Sequence, residues 1–286
     1  MRPSLCFRSF SISDAFRLFG FGTLALSWLG VALGEEGRDG FVFYEGFETP
    51  SDGGLYRALV SDEHLEVVDG EGVDGGRALM ATYEGSERGS ERVTNRYKIG
   101  ERGLEYTLNY DVKFDEDFQF VKGGKLHGLG PDSPITGGKA MRPDGWSARV
   151  TFKEAGSVRS YLYCQNKDGK YGAGVFSSDF HFENGKYYGI SLHVKLNEET
   201  SGDDGFAHIY IDGRRVVEHG GVRFRGESGE KTLISTFLFS TFHGGHESQW
   251  APKNTKGEYV DVHAYFDNIA VYRGKHVRGR PGGFEE

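Results

Sequence analysis

The chain has 286 residues and a formal net charge of −8, which fits one well-filled domain or two small ones and argues against a general nucleic-acid-binding surface. Its 44 glycines exceed the usual share of roughly 7% and follow no fixed repeat. The composition therefore favours an all-β protein with many turns. If the protein handles an anionic polymer, a local cationic cleft must bind it against the net negative charge.

The first 34 residues differ from the rest of the chain. Arg8 and Arg17 precede an apolar run of about 15 residues, and ALG at 32–34 offers a small-x-small cleavage site. A membrane anchor is the alternative, but the run is shorter than the roughly 20 residues that a spanning helix needs. We predict a secretory signal peptide over residues 1–34, a secreted or periplasmic protein, and no stable membrane association after cleavage.

Short segments of alternating polar and apolar residues follow, separated by glycine-containing turns. A period of two is typical of half-buried β-strands. The segments are residues 41–48, 78–83, 92–99, 104–114, 146–152, 157–165, 187–197, 206–217, 233–242 and 260–272. Asp212-Gly213 is a hairpin turn signal within one of them. No helix of ten residues is predicted after the signal peptide.

About ten to fourteen strands at this spacing predict a β-sandwich in a single domain over residues 41–273. A jelly roll is the natural version, since its curved sheets leave one concave face for a ligand. Cys164 lies on a core face without a partner, so no disulfide framework is expected. A loose basic and glycine-rich tail over residues 274–286 ends the chain, and we expect a monomer.

Two neighbouring segments, 146–152 and 157–165, carry unusual chemistry on their polar side. Their apolar side holds Trp146, Ala148, Val150, Phe152, Leu162 and Cys164. Their polar side holds Ser147, Arg149, Tyr161, Tyr163 and Gln165. Lys125 lies just upstream in a glycine-rich segment that reads as a loop. A functional site is therefore expected between residues 122 and 165.

Three spaced motifs here resemble polysaccharide lyase family 14, whose members include alginate lyases, and more loosely the glucuronan lyases of family 20. They are Gly123-Gly124-Lys125-Leu126, Ser147-x-Arg149 and Tyr161-x-Tyr163, with FSTFHGGHESQWAP at 239–252 downstream. The resemblance implies a jelly-roll lyase that cleaves an acidic polysaccharide, a polyuronate, by β-elimination. It places Lys125, Ser147, Arg149, Tyr161 and Tyr163 in the cleft. Two positions depart from the family pattern: His127, where proline is usual, and His243, where an aromatic residue is usual.

Elimination across C4 and C5 of a uronic acid needs a neutralised carboxylate, a base for the C5 proton and an acid for the departing O4. The planar guanidinium of Arg149 suits the carboxylate, because it can bind both oxygens. Lys125 or a tyrosinate suits the base if nearby positive charge lowers its pKa. Tyr161 or Tyr163 suits the acid, and Ser147 suits the orientation of the sugar.

Five further side chains are candidate substrate contacts. Gln165 ends the polar row, His127 follows the lysine motif, and His193 continues a polar row on another predicted strand. His243 and Trp250 belong to a glycine-rich segment that could close one end of the cleft.

Glu48 and Asp267 come from the first and last predicted strands, which are often neighbours in a jelly roll. Carboxylate oxygens are ligands that calcium prefers, so a structural calcium is one expectation and exposed acids at strand ends the other. The elimination itself requires no metal or other cofactor.

A non-catalytic carbohydrate-binding module is the alternative function, because the same sandwich can present aromatic residues to a sugar without chemistry. A retaining glycoside hydrolase is disfavoured. It needs two carboxylates on one face, and the polar side of 147–165 carries no acid.

Overall fold

The computed structural model describes residues 40–51 and 53–283. The predicted signal peptide lies outside these residues. The α-helix α1 spans Gly54–Val60, and Leu55 and Leu59, four residues apart, bury the same side of it. In the described part of the chain, no helix is long and apolar enough to cross a membrane.

The strands account for most of the described structure. In chain order they are β1 (Phe41–Glu45), β2 (Leu65–Asp69), β3 (Arg77–Tyr83), β4 (Gly85–Ser86), β5 (Gly89–Ser90), β6 (Val93–Gly103), β7 (Glu105–Phe114), β8 (Gly123–Gly130), β9 (Ser147–Lys153), β10 (Ser157–Tyr163), β11 (Phe176–His181), β12 (Tyr187–Lys195), β13 (Gly205–Ile211), β14 (Arg214–Val222), β15 (Ile234–His243) and β16 (Val262–Arg273). Single turns of 3₁₀-helix occur at Glu154–Gly156, Glu230–Thr232 and Ser248–Trp250.

Antiparallel pairing joins these strands into two large sheets. The eight-stranded sheet has the order β14-β13-β12-β7-β16-β3-β2, with β1 also paired to β16. The six-stranded sheet has the order β11-β10-β9-β8-β15-β6, and β4 and β5 form a small separate ribbon. The predicted hairpin turn is confirmed, because Asp212 and Gly213 join β13 to β14 with φ values of 49° and 80°.

The main hydrophobic core combines residues of both sheets. Trp146, Ala148, Val150 and Phe152, predicted to share the apolar side of segment 146–152, are fully buried in the structure. The indole Nε1 of Trp146 donates a hydrogen bond to the Thr232 carbonyl at 2.8 Å, which satisfies its one polar group. The predicted β-sandwich is therefore confirmed.

Lys125 lies in β8, inside the six-stranded sheet, and not in a loop as predicted. β8 contains a bulge, because the three steps from Lys125 to Gly128 face only two steps on β9. A bulge inserts one residue and shifts the side-chain alternation by one. Lys125 therefore faces outward while Leu126 and His127 are both fully buried.

The C-terminal segment 274–283 is not a loose tail. It lies along the outer side of the eight-stranded sheet, where the Thr107 hydroxyl donates a hydrogen bond to the Gly274 carbonyl at 2.7 Å. The guanidinium of Arg278 is 3.1 Å from the carboxylate of buried Asp111, which also accepts the Gly282 N–H at 2.9 Å. Arg278, one of the basic residues that suggested an exposed tail, is therefore the ion-pair partner of buried Asp111.

Candidate active site

The outer side of β8, β9 and β10 carries the side chains that the sequence singled out, and we call it the polar face. On β10, Tyr161 lies directly opposite Arg149 of β9. On the far side of β9, Lys125 of β8 lies opposite Thr151. Three adjacent strands therefore hold these groups on a rigid surface, and the predicted convergence of Lys125, Arg149 and Tyr161 is present.

Tyr161 is the centre of the polar face. Lys125 Nζ lies 4.0 Å from the centroid of its ring, and the guanidinium carbons of Arg149 and Arg159 lie at 5.4 and 5.8 Å. All three distances are within the range of cation–π attraction. Three basic side chains thus surround one phenol.

Among the described residues, none of these three basic side chains has an acidic partner. No Asp or Glu in the described ranges lies within ion-pair distance of Lys125, Arg149 or Arg159, although Lys113 is 2.6 Å from Glu71 elsewhere in the chain. The Nε atoms of Arg149 and Arg159 are buried and have no hydrogen-bond acceptor within the described part of the chain. Buried charge without a counter-ion is costly, so this cluster is arranged for a ligand that brings negative charge.

Gly128 explains how Arg149 is oriented. A Cβ atom on Gly128 would lie 2.4 Å from Cγ of Arg149 and 2.1 Å from the Ala148 carbonyl oxygen. Any other residue would collide there with both the side chain and the backbone of β9. The missing side chain lets Arg149 lean over β8, where it stays 96% buried.

The charge of Lys125 is tuned by this environment. Burial lowers its pKa well below the usual range for lysine, and the nearby Arg149, Lys153 and Arg159 lower it further. A neutral amine is therefore favoured at lower pH than for an exposed lysine. A lysine with these properties can accept a proton.

The loop between β8 and β9, residues 131–146, covers the end of the polar face where Ser147 and Tyr163 lie. Gly138 donates its N–H to the Tyr163 hydroxyl at 2.6 Å, and Ser147 donates its hydroxyl proton to the Ile135 carbonyl at 2.7 Å. Both side chains are fully buried, and burial raises the pKa of Tyr163 to about 12. Tyr163 and Ser147 adjoin the site as predicted, but they are anchored to this loop.

Gln165 also holds the backbone around this loop. Its amide nitrogen donates hydrogen bonds to the carbonyls of Arg142 at 2.9 Å and Phe224 at 3.1 Å. The structure therefore places it as a brace between two loops, and not as a free group above the polar face.

Trp250 lies at the opposite end, beside Lys125. A Cβ atom on Gly244 would be 3.6 Å from Lys125 Nζ and 3.9 Å from Cζ3 of Trp250, so both side chains flank this glycine. The ammonium of Lys153 lies 4.8 Å from the Trp250 ring. The predicted position of Trp250 at one end of the site agrees with the structure.

Sequence comparison identifies the family of this chain. The family model described as polysaccharide lyase 14 matches residues 80–269, more than half of the 286-residue chain. The chain belongs to the polysaccharide lyase 14 family. It is therefore a lyase whose substrate is a polysaccharide. No curated protein matches the sequence.

Solved structures show the same fold. Alginate lyase Aly36B, as a variant in complex with an alginate trisaccharide, is 25% identical, with 69% of this chain and 82% of that chain covered and a TM-score of 0.58. The alginate lyase of Aplysia kurodai is 21% identical, with coverages of 82% and 99% and a TM-score of 0.64. The endo-β-1,4-glucuronan lyase of the fungus Trichoderma reesei is 18% identical, with coverages of 82% and 95% and a TM-score of 0.55. The predicted jelly-roll fold is confirmed.

Three predicted histidine contacts are wrong, and the first is His127. Its ring lies in the core, with ring centroids 4.2 Å from Phe239 and 4.5 Å from Phe266, because the β8 bulge turns it inward. Its Nδ1 is 3.1 Å from the Ser240 carbonyl oxygen, and burial lowers its pKa to about 3. A neutral core histidine cannot contact a ligand on the polar face.

His243 and His193 are also placed elsewhere. His243 is fully buried in the core and stacks on Phe118, with ring centroids 5.3 Å apart. His193 belongs to the eight-stranded sheet and lies on its outer side, with Nε2 2.7 Å from a carboxylate oxygen of Glu105. Alternation placed the His193 row on the outer side of its sheet, but Ser191 and His193 are buried there, and alternation could not show to which sheet the row belongs.

Glu48 and Asp267 lie near each other, because the first and last strands, β1 and β16, are paired as predicted. Both carboxylate oxygens of Asp267 accept backbone N–H groups, from Val73 at 3.0 Å and Asn268 at 2.7 Å. Burial raises the pKa of Asp267 to about 6, and the described residues contain no group of three or more His, Cys, Asp or Glu placed to hold a metal. A structural calcium at these two side chains stays a prediction.

Sequence reasoning missed Arg159 and Gly128. Arg159 precedes Tyr161 by two residues, so the alternation of β10 already placed it in the same row as the two tyrosines. Gly128 had no such signal, because its importance comes from the close approach of Arg149 across the β8–β9 pairing.

Proposed function

We propose that this chain cleaves a polyuronate of the alginate or glucuronan type by β-elimination. The observation that supports this most strongly is the cluster of Lys125, Arg149 and Arg159 around Tyr161, in which no cation has an acidic partner among the described residues. A polymer with a carboxylate on each sugar supplies that missing charge. The resemblance of the fold to alginate and glucuronan lyases agrees with this substrate class.

Arg149 binds the carboxylate of the sugar that is cleaved. Its guanidinium is planar and nearly fully buried, so it can form two parallel hydrogen bonds in a site of low dielectric. Neutralising the carboxylate stabilises the negative charge that develops at C5 and the carboxyl group when the C5 proton leaves.

Lys125 is the base in this proposal. Its lowered pKa makes the neutral amine available, and the amine takes the C5 proton. The electron pair of the C5–H bond forms the C4=C5 double bond while the bond between C4 and O4 breaks. The products are an unsaturated uronate and a new chain end.

Tyr161 is the acid, because its phenol adjoins Lys125 and Arg149 on the polar face and can protonate the departing O4. Tyr163 lies next to it and keeps the covering loop in place through Gly138. Ser147 supports the same loop through Ile135. These two residues therefore act through positioning.

The protein as a whole is proposed to be exported, with residues 41–273 as the catalytic domain of a monomer. The apolar segment within residues 1–34 supports export, and the two sheets that pack around one core support a single domain. Size-exclusion chromatography and N-terminal sequencing of the secreted protein test these statements.

The elimination itself is tested with polymannuronate, polyguluronate and polyglucuronate. We expect a rise in ultraviolet absorbance from the new double bond with at least one of them, and a loss of that rise in Tyr161→Phe. Lys122→Met is a matched control, because Lys122 is exposed and pairs with Glu154 at 3.0 Å. Tight binding of these polymers without a rise in absorbance would identify a binding module instead.

A further inference from the structure

Arg159 is an unused cation at the edge of the proposed site. It lies two residues before Tyr161 on β10, so its side chain leaves the strand on the polar face. Its Nε is buried without a hydrogen-bond acceptor, and within the described ranges it has no acidic partner. The proposed elimination binds the carboxylate of the cleaved sugar with one guanidinium, that of Arg149, so the guanidinium of Arg159 has no carboxylate assigned to it.

The side chains of Arg149 and Arg159 point to opposite sides of Tyr161. Arg149 leans over Gly128 of β8, where a Cβ atom would be 2.4 Å from its Cγ. Arg159 leans the other way, over Gly174, where a Cβ atom would be 2.6 Å from its Nε. Because the two guanidinium groups diverge, each is placed for a different carboxylate.

An exposed aromatic ring accompanies Arg159 on this side. Phe176 of β11 is paired in register with Arg159, and the guanidinium carbon lies 5.3 Å from the centroid of its ring. Phe176 is 53% exposed, so its ring is open to a ligand from the solvent. A flat apolar surface beside a cation matches the two faces of a uronic acid: an apolar ring face and a carboxylate.

We propose that Arg159 and Phe176 form a second sugar-binding subsite, next to the sugar that is cleaved. Arg159 binds the carboxylate of the adjoining uronate, and Phe176 contacts the ring of that sugar. This inference rests on the proposed function and adds a specificity to it. The enzyme then selects polymers in which two successive sugars are uronic acids.

Steady-state kinetics of Arg159→Met test this subsite. We expect KM for a polyuronate to rise by about ten-fold or more, the usual effect of losing a hydrogen bond to a charged group. At alkaline pH, where Lys125 is neutral with or without Arg159 beside it, kcat should stay nearly unchanged. The KM of Arg159→Lys should fall between those of the wild type and Arg159→Met, and Phe176→Ala should also raise KM. Arg215→Met is the matched control, since Arg215 is an exposed residue of β14 that pairs with Glu218 at 2.9 Å.

A polyuronate with part of its carboxyl groups reduced to alcohols sharpens the test. The wild-type enzyme should show a higher KM for it, whereas Arg159→Met should be nearly insensitive to the reduction outside the cleaved sugar. A wild-type KM in Arg159→Met, or an equal response of both enzymes to the reduced polymer, would overturn the subsite.

Failure of the proposed function can be told apart from failure of the subsite. If the wild-type protein gives no unsaturated product from any polyuronate, the proposed lyase activity is wrong. The subsite is then judged by calorimetric binding of a uronate trisaccharide. Weaker binding to Arg159→Met than to the wild type supports it, and equal binding overturns it.

Discussion

The outer sides of the two sheets differ in whether their buried basic residues have acidic partners. On the eight-stranded sheet, buried Arg278 lies 3.1 Å from Asp111, and the segment 274–283 covers the surface. On the six-stranded sheet, Lys125 and Arg149 are packed together with no acid beside them in the described chain. One side is completed by the protein itself, and the other leaves its charge balance to a ligand.

The charged residues on the eight-stranded side therefore contribute to stability, whereas those on the polar face contribute to function. A buried ion pair becomes strongly destabilising when one partner is removed, whereas an unpaired buried cation is destabilising while it is present. Replacing a charge should therefore weaken the fold on the eight-stranded side. On the polar face, the same kind of replacement should strengthen the fold and reduce activity.

The largest expected effect is that of Lys125→Met. Loss of a general base lowers kcat by about 10² to 10⁴-fold, measured by formation of the unsaturated product. Unfolding monitored by circular dichroism should show higher stability than the wild type at neutral pH. The pKa of Lys125 is lowered in the folded state, so protonation disfavours folding. This gain should shrink as pH rises toward the ordinary pKa of lysine.

Arg278→Met should lower stability and leave activity unchanged, the opposite of Lys125→Met. It leaves the Asp111 carboxylate buried without its cation, so we expect the free energy of unfolding to fall by about 3 kcal/mol in chemical denaturation. The kcat per folded molecule should remain that of the wild type, because Arg278 lies on the other sheet. A large loss of kcat in the folded variant would mean that the two sides of the molecule are coupled.

Arg149→Lys tests whether the shape of the cation matters on the polar face. A lysine keeps the charge but cannot bind both carboxylate oxygens, so kcat/KM should fall by about ten- to hundred-fold. Initial rates over a range of polymer concentrations provide the measurement. Wild-type kinetics in this variant would show that Arg149 acts only as a positive charge.

His127→Leu should have the smallest effect at neutral pH and should leave activity intact. The pKa of His127 is about 3 in the folded protein and near 6.5 in an unfolded chain. The wild-type protein therefore loses stability as pH falls from about 6.5 toward 3, by an amount on the order of a few kcal/mol. Denaturation at several pH values should show a shallower acid-side loss for the variant, and an unchanged slope would contradict the assignment.

Much of the sandwich and part of the site followed from alternation alone. Apolar rows such as Trp146 to Phe152 defined the core, and the polar row placed Arg149 beside Tyr161. The position of His127 could not be predicted, because a bulge in β8 changes the face without any sequence signal. The role of Arg278 was also hidden, since its partner Asp111 lies far away in the sequence and only the fold brings them together.

The most direct test compares one variant from each side of the molecule in the same assay. Lys125→Met and Arg278→Met are mixed with the best polyuronate substrate, and the initial rise in ultraviolet absorbance is divided by the concentration of folded protein. We predict a near-complete loss of rate for Lys125→Met and the wild-type rate for Arg278→Met. Equal rates for the two variants, or the loss in Arg278→Met alone, would contradict the assignment of the polar face as the site of elimination.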